Sequence, residues 1–274
     1  MSAAIRLKQL SLEKGVDLSV CIVEKGSEVG AHILSGNVFE TRALDELLPR
    51  WKEESDVPLT TKATDDHFLF LSQTSQVSIP SFLLPKELHN EGNYIISLSQ
   101  LVRWLATKAE ELGVEIYPGF SADEVLYNAD GSVIGIATKD AGIAKNGELK
   151  DTYTRGVELL ARQTLFGEGC RGSCSEEIIN KFDLRKGKDT QSYGLGIKEV
   201  WEVPPEQFKE GLIQHTVGWP IQNSIVDKTF GGTFLYHQKP NLVLLGMVVG
   251  LDYENPYLNP YKGILIFFFD RYIK

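Results

Sequence analysis

Ala3-Ala4-Ile5-Arg6-Leu7-Lys8-Gln9-Leu10-Ser11-Leu12-Glu13-Lys14-Gly15, followed after two residues by Leu18-Ser19-Val20-Cys21-Ile22-Val23-Glu24-Lys25-Gly26, is the stretch that decides the fold. Ile5, Leu7, Leu10 and Leu12 supply the apolar positions of an amphipathic helix over Ala3 to Lys14. The run after Gly15 predicts a strand over Leu18 to Val23, in which Cys21 is read as a small buried apolar residue. Helix, glycine, strand and closing acid form the second half of a dinucleotide-binding βαβ unit. In the complete unit a strand and a G-x-G-x-x-G turn precede the helix, and an acid ending the second strand bonds the ribose hydroxyls. Glu24 has that type and position, although a carboxylate there is also read as a solvated charge at a strand end. The glycine turn that cradles a pyrophosphate at the helix N-terminus is expected upstream of Met1.

A chain of 274 residues suffices for one large domain or two small ones. Its 42% hydrophobic and 24% charged residues are ordinary globular values. The net charge of −9, without a basic stripe, argues against nucleic acid as a partner. No apolar run approaches the ~18 residues of a membrane span. The first residues carry neither the basic-then-apolar layout of a signal peptide nor the Arg/Ser richness of a transit peptide. Cys21, Cys170 and Cys174 lack metal-site or disulfide spacing, and three thiols fall short of the four that usually hold a four-iron cluster.

Along the chain, Phe39 to Trp51 places Phe39, Ala43, Leu44, Leu47, Leu48 and Trp51 on one helical stripe, with Glu40, Asp45, Glu46 and Arg50 opposite. Phe68 to Leu71 and the proline-bracketed Ile79 to Pro85 are further apolar segments. Ser97 and Gln100 form a capping box for a helix whose apolar face is Leu98, Leu101, Val102, Leu105, Ala109 and Leu112, ended by Gly113. Val114 to Tyr117 predicts a strand, and Val125 to Tyr127 and Val133 to Ala137 flank the hairpin signal Asp130-Gly131. From Tyr193 the pattern turns to strands: Tyr193 to Val203, Leu212 to Val217, Thr229 to His237 and Leu242 to Val249. The fold class is therefore α/β followed by an antiparallel β subdomain.

Three stretches offer chemistry. Gly167-Glu168-Gly169-Cys170-Arg171-Gly172 is a literal G-x-G-x-x-G between an expected strand, Thr164 to Phe166, and an expected helix, Glu176 to Phe182. The helix is short and no apolar strand closed by an acid follows, so it is read as a tight strand-to-helix turn. Gly30-Ala31-His32-Ile33-Leu34-Ser35-Gly36 combines glycines that admit a ligand close to backbone with polar His32 and Ser35. Alone it is an ordinary loop; so soon after Glu24 it is a candidate flavin-contact loop. Gly231-Gly232 lies inside a strand pattern, which calls either for a bulge or for close approach of a flat ligand.

The run Val23 to Gly36 resembles the electron transfer flavoprotein–ubiquinone oxidoreductases. So do His89-Asn90-Glu91-Gly92-Asn93-Tyr94, Glu168 to Gly172, His215-Thr216-Val217-Gly218-Trp219-Pro220, Gly231 to His237, and Gly250 to Tyr257. The likeness runs from about Ser2 to Tyr261. It implies a mitochondrial inner-membrane flavoprotein with a glutathione-reductase-like FAD fold, passing electrons from reduced electron transfer flavoprotein through a 4Fe-4S cluster and FAD to ubiquinone. By that likeness Glu24 binds the adenosine ribose, and Lys25 and Gly26 also bind the cofactor. Gly30, His32, Ser35 and Gly36, and Glu168 with Gly169, contact FAD, while Gly231 and Gly232 touch the quinone. The family has Ala at the position of Gly167, so the literal G-x-G-x-x-G is coincidental. The chemistry is electron transfer, so no catalytic acid–base pair or nucleophile is expected.

The resemblance organises the chain as an FAD-binding αβ portion over 1–192 and a quinone-side antiparallel sheet over 193–262. A divergent tail follows over 263–274. The first strand and glycine turn, the later FAD-closing segment and the cluster cysteines lie outside the chain, so weak or no FAD retention is expected of it. The tail, Gly263 to Asp270, reads as read-through or as a Phe-rich edge strand. Segments 39–51 and 79–85 are expected to touch one leaflet of a membrane, as a lipid-dissolved substrate requires, although the acidic face of the first suits core packing. Two other readings stand beside this one: an inactive gene-model fragment, and a flavin-dependent monooxygenase or reductase using a nicotinamide cofactor.

Overall fold

The structure is a computed structural model that describes residues 1–34, 36–222 and 226–268. Its chain forms two compact units that interleave in sequence, Ala3–Ala31 with Lys108–Thr190, and His32–Thr107 with Gln191 onward. The expected boundary at 192/193 lies within two residues of the last return, at Gln191. An earlier crossing at 31/32 falls inside the expected αβ portion.

In the first unit the Ser2–Lys14 helix ends where Gly15 adopts a left-handed φ of 61° and the Val16 N–H reaches the Ser11 carbonyl at 3.0 Å. That is the glycine-terminated close the sequence implies. Its buried residues are Ala4, Ile5 and Ser11. Leu12, expected on the inner stripe, is 69% exposed. The Ser11 hydroxyl donates to the Val16 carbonyl, which draws the chain reversal against Ser11 and leaves Leu12 one helical step outside. The strand is Cys21–Glu24, shorter than expected, and it runs parallel to Glu115–Pro118. Cys21 is exposed, not buried, because it opens a strand that pairs on one side only among the described residues. Ala122–Tyr127, Val133–Thr138 and Glu158–Leu160 form an antiparallel sheet. Its first hairpin turns at Gly131, with φ 84°, where Asp130 Oδ1 accepts both the N–H and the hydroxyl of Ser132. Thr164 to Phe166 form no strand, and the helix beyond them is Ser173–Lys181.

The Leu98–Glu111 helix carries the chain from the second unit back into the first. Ser97 Oγ accepts the Gln100 N–H at 3.4 Å, one arm of the expected capping box, and Gly113 closes the helix with φ 79°.

The second unit is built on six strands in the spatial order Gly194–Glu202, Leu242–Gly250, Gly231–Gln238, Leu212–Gly218, Asp65–Leu71 and Gln76–Ile79. The expected all-antiparallel sheet is in fact mixed, since Leu212–Gly218 runs parallel to Asp65–Leu71. Hairpin neighbours leave turn signals in sequence. A parallel partner far upstream leaves none.

One face of this sheet, with Leu71, Leu235, Leu245, Met247 and Val249, packs against Ile264 and Phe267. Those two residues belong to a Pro260–Phe268 helix and are 0% and 2% exposed. The described part of the tail is thus a core helix, not a stray edge strand. The opposite face, with Ile213, Tyr236 and Leu244, meets Ala63, Ile95 and Val38. Val38 and Ile95 come from a small sheet of Asn37–Phe39, Tyr94–Ile96 and Thr61–Lys62, and Ala63 follows its last strand.

The expected 39–51 helix is broken into a strand ending at Phe39, a short Arg42–Leu47 helix and one turn from Trp51. Leu44 and Trp51 are buried, and the Trp51 indole N–H donates to Asp45 Oδ1 at 2.8 Å. Of the expected stripe, Leu44 and Trp51 pack into the core, while Ala43 is exposed. The 79–85 segment behaves oppositely: Phe82 is 80% and Leu83 65% exposed.

His237 gives this unit an acid sensitivity. Its ring is buried, and Nδ1 accepts the Lys209 N–H at 3.0 Å. Burial, and then the Lys209 charge, pull its pKa down to about 4. The unfolded value is near ~6.5, so stability from the neutral ring is complete above that pH and is lost as pH falls toward 4. Within that window the expected slope is about 1.4 kcal/mol per pH unit. Denaturation midpoints across the window should show it, and His237→Asn, which keeps an acceptor without a titrating ring, should reduce it. An unchanged slope would place the titration elsewhere.

Candidate functional site

Glu24 is the last residue of its parallel strand, at the carboxyl end where open α/β sheets bind ligands. Its Oε1 accepts the Gly26 N–H at 2.6 Å, which folds the side chain back over its own turn and fixes the carboxylate's direction. Gly26 is buried, and its carbonyl accepts the Gly119 N–H at 2.7 Å, tying the turn to the neighbouring strand's end. Gly30 is buried with φ 81°, a conformation that favours glycine, while Lys25 is exposed. The Ser2–Lys14 helix has no side-chain cap on its first N–H groups.

Glu168 belongs to the same unit but is otherwise engaged. Its carboxylate accepts the N–H and the hydroxyl of Ser175, at 2.6 and 2.7 Å, and so acts as an acidic cap on the Ser173–Lys181 helix. A Cβ built on Gly172 would lie 2.2 Å from Glu168 Cβ, which gives the last glycine of the motif a local reason. Gly169, with φ 80° and open space around it, leaves its backbone accessible. Cys174 is buried, and burial, with Glu168, Glu177 and Asp123 nearby, pushes its thiol up to about 11.

In the second unit His32 is exposed, and Ser35 lies outside the described residues. Gly36 is buried at φ 133°, its carbonyl accepting Lys198 Nζ at 3.3 Å. Lys198 also lies over the Phe234 ring, 5.6 Å from its centroid. Phe234 stacks on Tyr236 at 4.7 Å and covers Gly246, where a Cβ would sit 2.1 Å from the ring. The Tyr236 hydroxyl is 2.7 Å from His215 Nε2. Burial raises the Tyr236 pKa and lowers that of His215, so the pair is held neutral. Sequence reading missed Lys198, His215, Phe234 and Tyr236 as a group. Their strand alternation is visible, but the cross-strand register that gathers them is not.

Gly231 and Gly232 open the Gly231–Gln238 strand instead of lying inside it. A Cβ on Gly231 would come within 2.4 Å of the Val248 carbonyl oxygen, and one on Gly232 within 2.4 Å of that of Thr216. At both positions a side chain would collide with the protein's own backbone. No group of three or more His, Cys, Asp or Glu side chains is placed to hold a metal ion among the described residues.

Residues 193–271 match a family described as "ETF-QO, ubiquinone-binding". Over 262 residues the chain is 55% identical to the mitochondrial electron transfer flavoprotein-ubiquinone oxidoreductase of Dictyostelium discoideum, covering 96% of this chain and 42% of that protein. It is 57% identical over 264 residues to the Arabidopsis thaliana mitochondrial protein of the same name, covering 96% and 40%. The Pseudomonas aeruginosa protein is 53% identical over 263 residues, covering 95% and 47%. The chain thus spans about two fifths of the length of the first two.

Among solved structures, a geranylgeranyl bacteriochlorophyll reductase-like protein from Thermoplasma acidophilum superposes with a TM-score of 0.57 at 14% identity, covering 99% of this chain and 58% of that one. A flavin-dependent halogenase from Brevundimonas sp. BAL3 gives 0.59 at 12%, covering 96% and 56%. These two share the fold.

Proposed function

We infer, from the membership of this chain in the electron transfer flavoprotein–ubiquinone oxidoreductase family, that it is the part of such an enzyme carrying the ribose end of an FAD site and the ubiquinone-binding sheet. The observation that carries this reading is the match of residues 193–271 to a ubiquinone-binding family, on a chain whose other unit ends a parallel strand in an oriented acid. Bound FAD would supply the redox chemistry, taking electrons from reduced electron transfer flavoprotein and yielding them to quinone. Glu24 would accept the adenosine ribose hydroxyls, with the Gly26 turn setting its direction. The donor set fits the nucleotide in these respects. Gly30 and Gly169, in the same unit as Glu24, would offer bare backbone to the cofactor. Glu168 caps its helix through Oε2, which leaves Oε1 for a cofactor contact.

A four-iron cluster does not fit the residues of this chain. Cys21 and Cys170 are exposed and Cys174 is buried, and they form no common site among the described residues.

In a full-length family member carrying this segment, Glu24→Ala should weaken FAD binding by about 1.5–3 kcal/mol, the worth of a hydrogen bond to a charged acceptor. Flavin titration reads this directly, and unchanged affinity with an intact fold would make Glu24 a surface charge.

Contact with one leaflet of the inner mitochondrial membrane belongs to the same proposal. No described helix is long and apolar enough to cross a membrane. Support comes from Val77, Phe82 and Leu83, all exposed, the last two in a segment bracketed by the exposed Pro80 and Pro85. Phe82→Ser with Leu83→Ser should reduce co-sedimentation with phospholipid vesicles several-fold, and vesicle binding equal to the parent's would remove this segment from the contact.

A further inference from the structure

We propose that His215 is a proton donor to the quinone on the six-stranded sheet, working as a pair with Tyr236. This rests on the reading of that sheet as the quinone site. Reduction of a quinone to quinol takes two electrons, here from reduced flavin, and two protons, which convert both carbonyl oxygens to hydroxyls. The electrons have a cofactor to carry them, but the protons need a titratable group beside the ring.

The register of the sheet places one such group. On the face opposite the Pro260–Phe268 helix, Gly196 stands opposite Val248, which stands opposite Gly232. A Cβ at Gly232 would touch Val217 Cγ1 at 3.7 Å. Val217 is paired with Phe70, and Phe70 with Val77. This row is apolar from edge to edge and open. Gly196 is exposed with nothing but Val248 near its Cβ position, Val248 is 38% exposed, and Phe70 and Val77 are exposed at the other end. It finishes beside the segment that exposes Phe82 and Leu83. A flat ring over the glycines and a prenyl chain leading toward lipid suit such a row, and a ring with only apolar neighbours would find no proton there.

The adjoining row on the same face is Lys198, Gly246, Phe234, His215 and Phe68. His215 is two residues from Val217, roughly 7 Å along the strand. Its Nε2 is taken by the Tyr236 hydroxyl, and among the described residues Nδ1 has no hydrogen-bond partner, so Nδ1 is the nitrogen free to exchange a proton. The charged and titratable groups facing it are Tyr236 on one neighbouring strand, Asp66 on the other, and Lys198 beyond Phe234. The small sheet on this face contributes Ala63, Ile95 and Val38, none of which titrates. Asp66 is exposed, and its charge favours the protonated ring, so solvent at that side restores the proton. Solvent on the Asp66 side first adds a proton to the ring. The Nδ1–H bond then breaks, an O–H bond forms on one oxygen of the reduced quinone, and the ring returns to its neutral form bonded to Tyr236, while water at the open end of the row supplies the proton for the other oxygen.

The test uses a full-length family member carrying these residues, reduced by its donor protein, with two acceptors: a short-chain ubiquinone and ferricyanide, which takes one electron and no proton. His215→Gln should lower quinone reduction at least tenfold, leave ferricyanide reduction unchanged, and flatten the fall of the quinone rate with rising pH. An unchanged ratio of the two rates with an unchanged pH profile overturns the proposal. Should the Gln variant fail to fold, Tyr236→Phe removes only the hydroxyl and should displace the pH profile of quinone reduction alone; an undisplaced profile overturns the pairing. A parent enzyme that reduces ferricyanide but no quinone overturns the underlying site reading, and is told apart because it needs no variant.

Discussion

Phe267→Ala should cost the chain about 3–5 kcal/mol of unfolding free energy, the usual range for truncating a large buried aromatic side chain. Phe267 is 2% exposed and Ile264 0%, and both close the core formed by Leu71, Leu235, Leu245 and Met247. The helix that carries them meets the sheet through Gly263, whose Cβ position lies 3.3 Å from Met247 Sδ. Urea denaturation of the purified chain measures the loss. A Phe-rich tail unrelated to the fold would predict almost no change, so the sizes of the two outcomes are far apart. The loss is also a large fraction of the ~5–15 kcal/mol that holds a typical domain together.

Gly232→Ala should destabilise the same sheet by about 1–3 kcal/mol in the absence of any quinone, as overpacking does. The added methyl would sit 2.4 Å from the Thr216 carbonyl oxygen, and backbone is slow to yield. Gly231→Ala meets the Val248 carbonyl at the same distance and should behave alike. If both variants kept the parent's denaturation midpoint, the steric account would be wrong.

Much of this architecture is legible before any coordinates. Glycine-terminated helices at Gly15 and Gly113, the Asp130-Gly131 hairpin and an acid ending the Cys21–Glu24 strand all announce themselves through local chemistry. What stays hidden depends on partners distant in sequence. Asp65–Leu71 joins the sheet beside Leu212–Gly218 by a parallel pairing that no turn residue encodes. Glu168 is drawn to Ser175, and helix-capping competes with ligand contact in a way that residue type alone does not resolve. The tail misleads because a short apolar run suits a strand or a buried helix equally until its packing partner is known. Of the candidate site, Glu24 and its turn could be read directly. The Lys198, Phe234, Tyr236 and His215 grouping could not, because it exists only through register.

The most direct test of the account is a replacement in a full-length relative of the segment matched here by residues 2–262 of this chain, assayed for ubiquinone reduction by reduced electron transfer flavoprotein. The account predicts a flavin-loaded enzyme that reduces ubiquinone at a rate comparable to its parent. A folded chimera that binds flavin and accepts electrons from the donor protein, yet reduces no ubiquinone, would contradict it.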